Sequence, residues 1–310
     1  MELTPSLPFA QGRFEVLPDL PRVPHGYFDV PGRDIIVPRT ELGDVRIHYR
    51  EAGSGAPLLL VHGLMTTSYS FRYVLPELAK SRRVIALDLP GAGRSEMVRG
   101  SYAPDVLARF LAHFMKAVGI DQGDVVGNSM GGYLTMRLAI ARPDLVRRLV
   151  CIHAPMFPSA RFRALRAVTR MPGVCALLYA LIARDPLRWA HKNVHYYDES
   201  LKSREEAREY GQPLASRDGS DAFFHYLAET LDPRAFASFA RTLERTRPFP
   251  VPLLLLYSRE NDPMVPPSVG EKLAAILPDA KMVWLDRASH FPHVDAAERT
   301  LAILREFLGP

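Results

Sequence analysis

The run Val125-Val126-Gly127-Asn128-Ser129-Met130-Gly131-Gly132 sets a serine between two glycines, after an apolar stretch and before a helical one. A nucleophile on a sharp strand-to-helix turn needs neighbours that do not crowd it, and G-x-S-x-G supplies them. A serine hydroxyl attacks a carbonyl only when a base removes its proton and an acid orients that base. Both residue types follow downstream. One apolar run ends in Leu256-Tyr257-Ser258 and continues into Arg259-Glu260-Asn261-Asp262-Pro263. The next ends in Leu285-Asp286 and continues into Arg287-Ala288-Ser289-His290-Phe291. Ser129, Asp262 and His290 therefore occur in the order Ser…Asp…His, which suits a nucleophile on such a turn.

Three separate loops can meet only if the elements before them end at one sheet edge. Residues 58–61, 84–87, 149–152, 253–256 and 282–285 are short, continuous apolar runs, and Asp124-Val125-Val126 reads as a further strand. Runs of this kind suit strands buried on both faces. Helical patterns over 69–80, 105–118 and 131–141 alternate with them. The alternation predicts an α/β fold, a doubly wound, mostly parallel sheet covered on both faces. Loops after its strands leave at the carboxyl edge, where Ser129, Asp262 and His290 would converge.

Two regions break the alternation. Residues 1–40 are rich in proline (Pro5, Pro8, Pro18, Pro21, Pro24, Pro31, Pro38) and read as an extended arm, not a helix. Residues 154–248 hold no convincing strand run and are broken at Pro172-Gly173, Pro186, Pro213 and Asp232-Pro233. They read as a helical insertion. The expected division is an arm over 1–40, a core over 41–153 and 249–310, and the insertion over 154–248.

The sequence resembles the α/β-hydrolase superfamily from about residue 45 to its end. Four motifs carry the resemblance: Val61-His62-Gly63-Leu64, Asp88-Leu89-Pro90-Gly91-Ala92-Gly93-Arg94-Ser95, the Ser129 turn, and the Asp262 and His290 loops. The insertion stands where that family carries its cap. The resemblance implies Ser129 as nucleophile, His290 as base and Asp262 as acid. It also implies an oxyanion hole from the backbone N–H groups of Leu64 and Met130. Glu260 competes with Asp262, but Pro263 and Pro266 match the family spacing better for Asp262. His293 competes with His290, but it falls at the start of the last helix. His62 and the segment 88–95 read as structural.

The nucleophile narrows the chemistry. Residues 66–72 look somewhat like haloalkane dehalogenases and epoxide hydrolases, relatives that use an aspartate at the turn. A carboxylate attacking an alkyl carbon gives an ester that water can cleave, whereas serine would give an ether, a dead end. Attack on a carbonyl remains. The reading placed first is ester hydrolysis through an acyl-enzyme. The alternative is carbon–carbon bond hydrolysis of vinylogous diketone acids, whose enzymes often read Gly-Asn-Ser-Met-Gly at the turn, as here. Those relatives typically carry a glycine- and proline-bearing loop after His-Gly and a Trp after the catalytic His, where this chain has Leu64-Met65-Thr66-Thr67 and Phe291. A non-catalytic binding member of the fold is a third reading, which the complete Ser, Asp and His set argues against. The cap's apolar and aromatic residues, among them Phe157, Phe162, Leu177, Leu178, Tyr179, Trp189, Phe223, Phe224 and Tyr226, predict a mostly apolar pocket over Ser129. A diketone acid would need a cation inside it, for which Arg184 and Arg188 are the candidates.

Composition removes other classes. With 310 residues, 47% hydrophobic and 24% charged, the chain can bury a sizeable core and is not disordered, collagen-like or coiled-coil. Mean hydropathy is −0.05, which argues against a polytopic membrane protein. The longest apolar stretch, 174–183, falls short of the roughly 20 residues a span needs and reads as a buried helix. Net charge is +5, carried by scattered arginines, so the expected partner is a small-molecule substrate and not nucleic acid. Arg161, Arg163, Arg166 and Arg170 read as a solvated helix face, with contact to a membrane surface as the alternative. His191 and His195 lack the glutamate and third ligand of a zinc site, so no metal or cofactor is expected. Cys151 and Cys175 lie in apolar stretches and read as buried free thiols. With no leader visible after Met1, a cytoplasmic location is expected.

Overall fold

The computed structural model describes residues 8–169, 171 and 173–309. Eight strands form one sheet: β1 (Gly32–Thr40), β2 (Gly43–Ala52), β3 (Pro57–Val61), β4 (Arg83–Leu87), β5 (Gly123–Asn128), β6 (Val146–Ile152), β7 (Leu253–Ser258) and β8 (Lys281–Leu285). Their order is β1-β2-β4-β3-β5-β6-β7-β8. The β1–β2 and β2–β4 pairs are antiparallel, and β4, β3, β5, β6, β7 and β8 run parallel. The doubly wound, mostly parallel α/β sheet expected from the apolar runs is the one the chain forms.

The period-two alternation of a strand explains why those runs are apolar throughout. Leu59 and Val61 pack on one face with Leu107, Phe110 and Leu134. Leu58 and Leu60 pack on the other with Leu75, Leu78, Leu301 and Leu304. The covering helices are α1 (Leu75–Leu78), α2 (Pro104–Ala117) and α3 (Met130–Ala141) in the first half of the chain. In α2 the buried Leu107, Phe110, Leu111 and Phe114 fall at helical spacing, with Pro104 in its first turn.

Between β6 and β7 run six α-helices: α4 (Ala160–Thr169), α5 (Val174–Arg184), α6 (Pro186–Asn193), α7 (Arg204–Gly211), α8 (Arg217–Thr230) and α9 (Pro233–Arg245). The chain then closes with α10 (Pro267–Ile276), α11 (Pro292–Asp295) and α12 (Ala297–Leu308).

The structure corrects five expectations, the last being the burial of Cys175. The arm is shorter than residues 1–40, because β1 pairs with β2 from Gly32↔Arg50 to Val37↔Val45; Pro38 is tolerated there because β1 is an edge strand. Nor is the arm wholly extended, since Phe14–Val16 forms a 3-10 turn. The helix expected over 69–80 is a 3-10 turn (Ser68–Phe71) followed by α1, because the first turn is drawn into the loop beside β4 by Asp88, whose Oδ1 accepts the Ser68 N–H at 2.8 Å. The run 174–183 is helical but not buried. Of α5 only Ile182 is fully covered, since α4 and α5 form the outer layer of the insertion. Cys151 is buried and Cys175 only partly so; neither is in a disulfide.

Candidate active site

The sheet order reverses at β3, with β4 on one side and β5 on the other. At such a switch point the loops after β3 and β5 diverge and leave a crevice at the carboxyl edge. Ser129 follows β5 and Leu64 follows β3, so both border it. The motif glycines explain the turn. A Cβ on Gly127 would lie 2.5 Å from the Gly131 carbonyl oxygen, and one on Gly131 only 2.2 Å from that of Val61. Any side chain at either position would push α3 off the sheet. Ser129 itself has φ 54° and ψ −121°, a strained backbone costing on the order of 1–3 kcal/mol. Its N–H donates to the Ile152 carbonyl at 2.7 Å, which holds the turn against β6.

Asp262 is buried in the loop after β7. Its Oδ1 accepts the N–H groups of Met264 (2.7 Å) and Val265 (3.2 Å), and its Oδ2 accepts the main-chain N–H of His290 (2.6 Å). The carboxylate thus ties the two downstream loops together. His290 is buried, and burial pushes its imidazole below the ordinary histidine range, with Asp262 pulling the other way. Its Nδ1 has no hydrogen-bond partner among the described residues; catalytic hydrogen bonds often close only with substrate present.

The rival residues lie elsewhere. Glu260 is half-buried and accepts the Arg287 N–H at 2.9 Å. His293 is wholly buried, stacked on Phe71 at 4.9 Å, and burial pushes its imidazole down to about 3. The Leu89 N–H donates to His62 Nε2 at 2.9 Å, while His62 Nδ1 donates to the Gly63 carbonyl at 2.7 Å, so both ring nitrogens serve loop structure. His191 Nε2 reaches the Gly12 carbonyl and His195 faces Glu199. Among the described residues no cluster of His, Cys, Asp or Glu is arranged to hold a metal.

Three supporting residues escaped the sequence reading. The Asn128 amide donates to the His290 carbonyl at 2.9 Å and joins the serine turn to the histidine loop. His153, directly after β6, has its ring 5.5 Å from that of His290 and accepts the Ser258 N–H at 2.6 Å. Asp295, pushed up to about 7 by burial, accepts the N–H groups of Ser289 (3.0 Å) and, across to the insertion, Tyr197 (2.9 Å). A histidine immediately after an apolar run at the carboxyl edge was the one available signal, for His153.

Leu64, Ser129, Met130 and His290 line one cavity of about 460 Å³. Beside it the loop after β3 and the serine turn pack closely, since a Cβ on Gly63 would lie 2.9 Å from Ser129 Cβ. Its roof comes from α4 (Phe162, Leu165, Val168), α6 (Trp189) and α8 (Phe223, Leu227). Of the apolar and aromatic residues expected there, Phe162, Trp189 and Phe223 line it, while Tyr226 instead donates to the Pro90 carbonyl and Leu177 faces solvent. No Asp, Glu, Lys or Arg lines this cavity among the described residues. Arg184 is exposed, and Arg188 pairs with Glu15 (2.7 Å) and Asp185 (3.0 Å) against the arm.

Residues 56–297 match the family model described as alpha/beta hydrolase fold. The chain belongs to the α/β-hydrolase family and is a hydrolase of that fold. It is 29% identical over 282 residues, 90% of this chain and 94% of the relative, to a 2-hydroxymuconate semialdehyde hydrolase from Pseudomonas sp. (strain CF600). It is 27% identical over 281 residues, 85% of this chain and 92% of the relative, to haloalkane dehalogenase 2 from Mycobacterium tuberculosis (strain ATCC 25618 / H37Rv). Its fold is similar to that of a meta-cleavage product hydrolase from Pseudomonas fluorescens IP01, with a TM-score of 0.68 at 24% identity, covering 90% of this chain and 98% of that one.

Proposed function

We propose that the chain hydrolyses neutral carboxylic esters with a medium-sized, apolar acyl group, through an acyl-enzyme on Ser129. The observation that carries this reading is the cavity beside Ser129, which is mostly apolar and has no Asp, Glu, Lys or Arg among its described lining, Asn193 and His195 being its polar members besides Ser129 and His290. In the proposed cycle, Ser129 Oγ attacks the ester carbonyl and passes its proton to His290, which Asp262 orients. The N–H groups of Leu64 and Met130 take the developing oxyanion. His290 then protonates the departing alcohol, and water, deprotonated by the same histidine, releases the acid.

Likeness to a haloalkane dehalogenase does not extend to that reaction here, because Ser129 occupies the turn and an alkyl–serine ether has no hydrolytic exit. Carbon–carbon bond hydrolysis is the second reading. The similarity to a 2-hydroxymuconate semialdehyde hydrolase favours it, and so does the Gly-Asn-Ser-Met-Gly turn. Against it, neither Arg184 nor Arg188 lines the cavity to meet a carboxylate.

The test is kcat/KM for a series of nitrophenyl esters beside a meta-cleavage diketone acid. Each methylene that fits should add about 0.8 kcal/mol of binding until the cavity is full, giving an optimum at roughly four to eight acyl carbons on that scale and no diketone turnover. Efficient diketone cleavage with feeble ester hydrolysis reverses the assignment.

A further inference from the structure

The outer layer of the insertion carries an apolar face that the proposed hydrolysis leaves unused. Along α5 the exposed positions are Ala176, Leu177, Ala180, Leu181 and Arg184. Their spacing places them on one side of the helix. Along α4 they include Arg163, Ala164, Ala167 and Val168. Leu177 is 61% exposed, Leu181 and Met171 are 57% exposed, and Val168 is 44% exposed. Exposed large apolar residues gathered on two neighbouring helices, unlike ones scattered singly, point to an interaction site.

Charge and continuity identify what it meets. Arg163 and Arg184 are the charged residues on these exposed faces among the described residues, and neither has an ion-pair partner there. Arg166, set further in, is paired with Asp232. Arg170 and the side chain of Arg161 lie outside the described residues. Val168 is both part of the exposed face and part of the lining of the cavity beside Ser129, so the face and the cavity adjoin. Helices α4 and α5 span only about 15 Å each, and no described helix is long and apolar enough to cross a membrane. Their geometry suits lying in a bilayer surface.

We propose that helices α4 and α5 dock on an anionic lipid surface, inserting Met171, Leu177 and Leu181 among the acyl chains with Arg163 and Arg184 at the headgroups. Docking sets the cavity against the lipid, so an amphiphilic ester reaches Ser129 without crossing water. That last clause rests on the ester reading; the docking does not. A second copy of the chain fits less well, because two-fold pairing of this face would set basic rim against basic rim.

The experiment is co-sedimentation of the full chain, carrying Ser129→Ala so that nothing is hydrolysed, with vesicles of phosphatidylglycerol and phosphatidylcholine. Binding is expected to anionic vesicles, weakening as salt rises. Leu177→Asp with Leu181→Asp should lower the partition coefficient by about tenfold or more, and Arg163→Glu with Arg184→Glu by roughly fivefold per arginine. Neither pair should alter turnover of a short soluble ester by the Ser129 chain, which controls for folding. Equal vesicle binding by the Leu177→Asp/Leu181→Asp chain overturns the proposal. So does an absence of vesicle binding alongside a dimer, seen by sedimentation velocity, that the same substitutions dissolve. Vesicle binding by a chain that turns over no ester leaves docking intact and removes the ester reading instead.

Discussion

The two walls of the cavity are held in place by different forces. On the sheet side, hydrogen bonds to the main-chain groups of Ser129 and His290 do most of the positioning. Ser129 is anchored by its own N–H to Ile152, and His290 by its N–H to Asp262 and its carbonyl to Asn128. On the insertion side, the wall is side-chain surface. Its helices rest on the core through contacts such as Tyr133 on Phe236, 4.8 Å between rings, and the buried ion pair of Arg72 with Glu206 at 2.7 Å. Ser129 and His290 are thus held through their own main-chain groups, Ser129 by the Ile152 carbonyl and His290 by the side chains of Asp262 and Asn128. A wall made of side chains can be re-lined without moving the reacting groups. On the proposed reading, chemistry and substrate choice are therefore separable in this molecule.

Substitutions on the sheet side should show the largest effects. Ser129→Ala should remove turnover by about 10³-fold or more and abolish stoichiometric labelling by a serine-reactive phosphonate, read by mass spectrometry. A chain retaining even several per cent of its activity contradicts Ser129 as nucleophile. Asp262→Asn should lower kcat by roughly 10²–10⁴-fold, whereas Glu260→Gln, which keeps an oxygen for the Arg287 N–H and lies outside the cavity lining, should stay within about twofold. A damaging Glu260→Gln beside a mild Asp262→Asn moves the acid to the outer carboxylate.

The insertion side should respond more weakly and selectively. Leu227→Ala should reduce kcat/KM for the best long-chain ester by about tenfold, the worth of a few buried methylenes, and leave acetate esters nearly unchanged. Equal losses on both would mean that the roof positions the reacting groups after all.

The smallest effect is a displacement of the pH profile. As the proposed base, His290 must be neutral to accept the serine proton, and burial lowers its pKa from the ordinary value of 6.5. Activity should therefore persist below pH 6.5 and fall only as the pH drops through the lowered value. Asp262 pulls that pKa upward, so the residual activity of Asp262→Asn should have its acid limb at still lower pH. Profiles of kcat/KM with an uncharged ester measure both, and a wild-type limb at pH 7 or above contradicts the burial argument.

Much of the sheet side was legible because its signals are local. An apolar run four or more residues long, a pair of glycines around a serine, and a histidine or aspartate just past a strand each sit within one short window. The supporting residues were not legible, for the opposite reason. Asn128, His153 and Asp295 matter through partners at His290, Ser258 and Tyr197, and nothing in the neighbouring sequence marks those meetings. The insertion was recognisable as helical, yet which of its aromatic residues reach the cavity was not. Helical spacing says which residues share a face, but not which neighbour that face meets. Likewise, the ranking of ester over carbon–carbon cleavage came from loop residues beside the motif, while the curated relatives include a hydrolase of the second kind.

The 174–183 run shows the division most clearly. The sequence by itself determined that it is an uncharged helix too short to span a bilayer, because propensity and length are properties of the segment. Burial is a property of the surroundings. Only the tertiary structure decided that the run lies in the outermost layer, with Leu177 and Leu181 open to solvent. The same distinction holds for the site. Strand periodicity and turn chemistry could bring Ser129, Asp262 and His290 to one sheet edge on paper. The reversal of strand order at β3, a long-range pairing with no local trace, is what opens a crevice there for a substrate to enter.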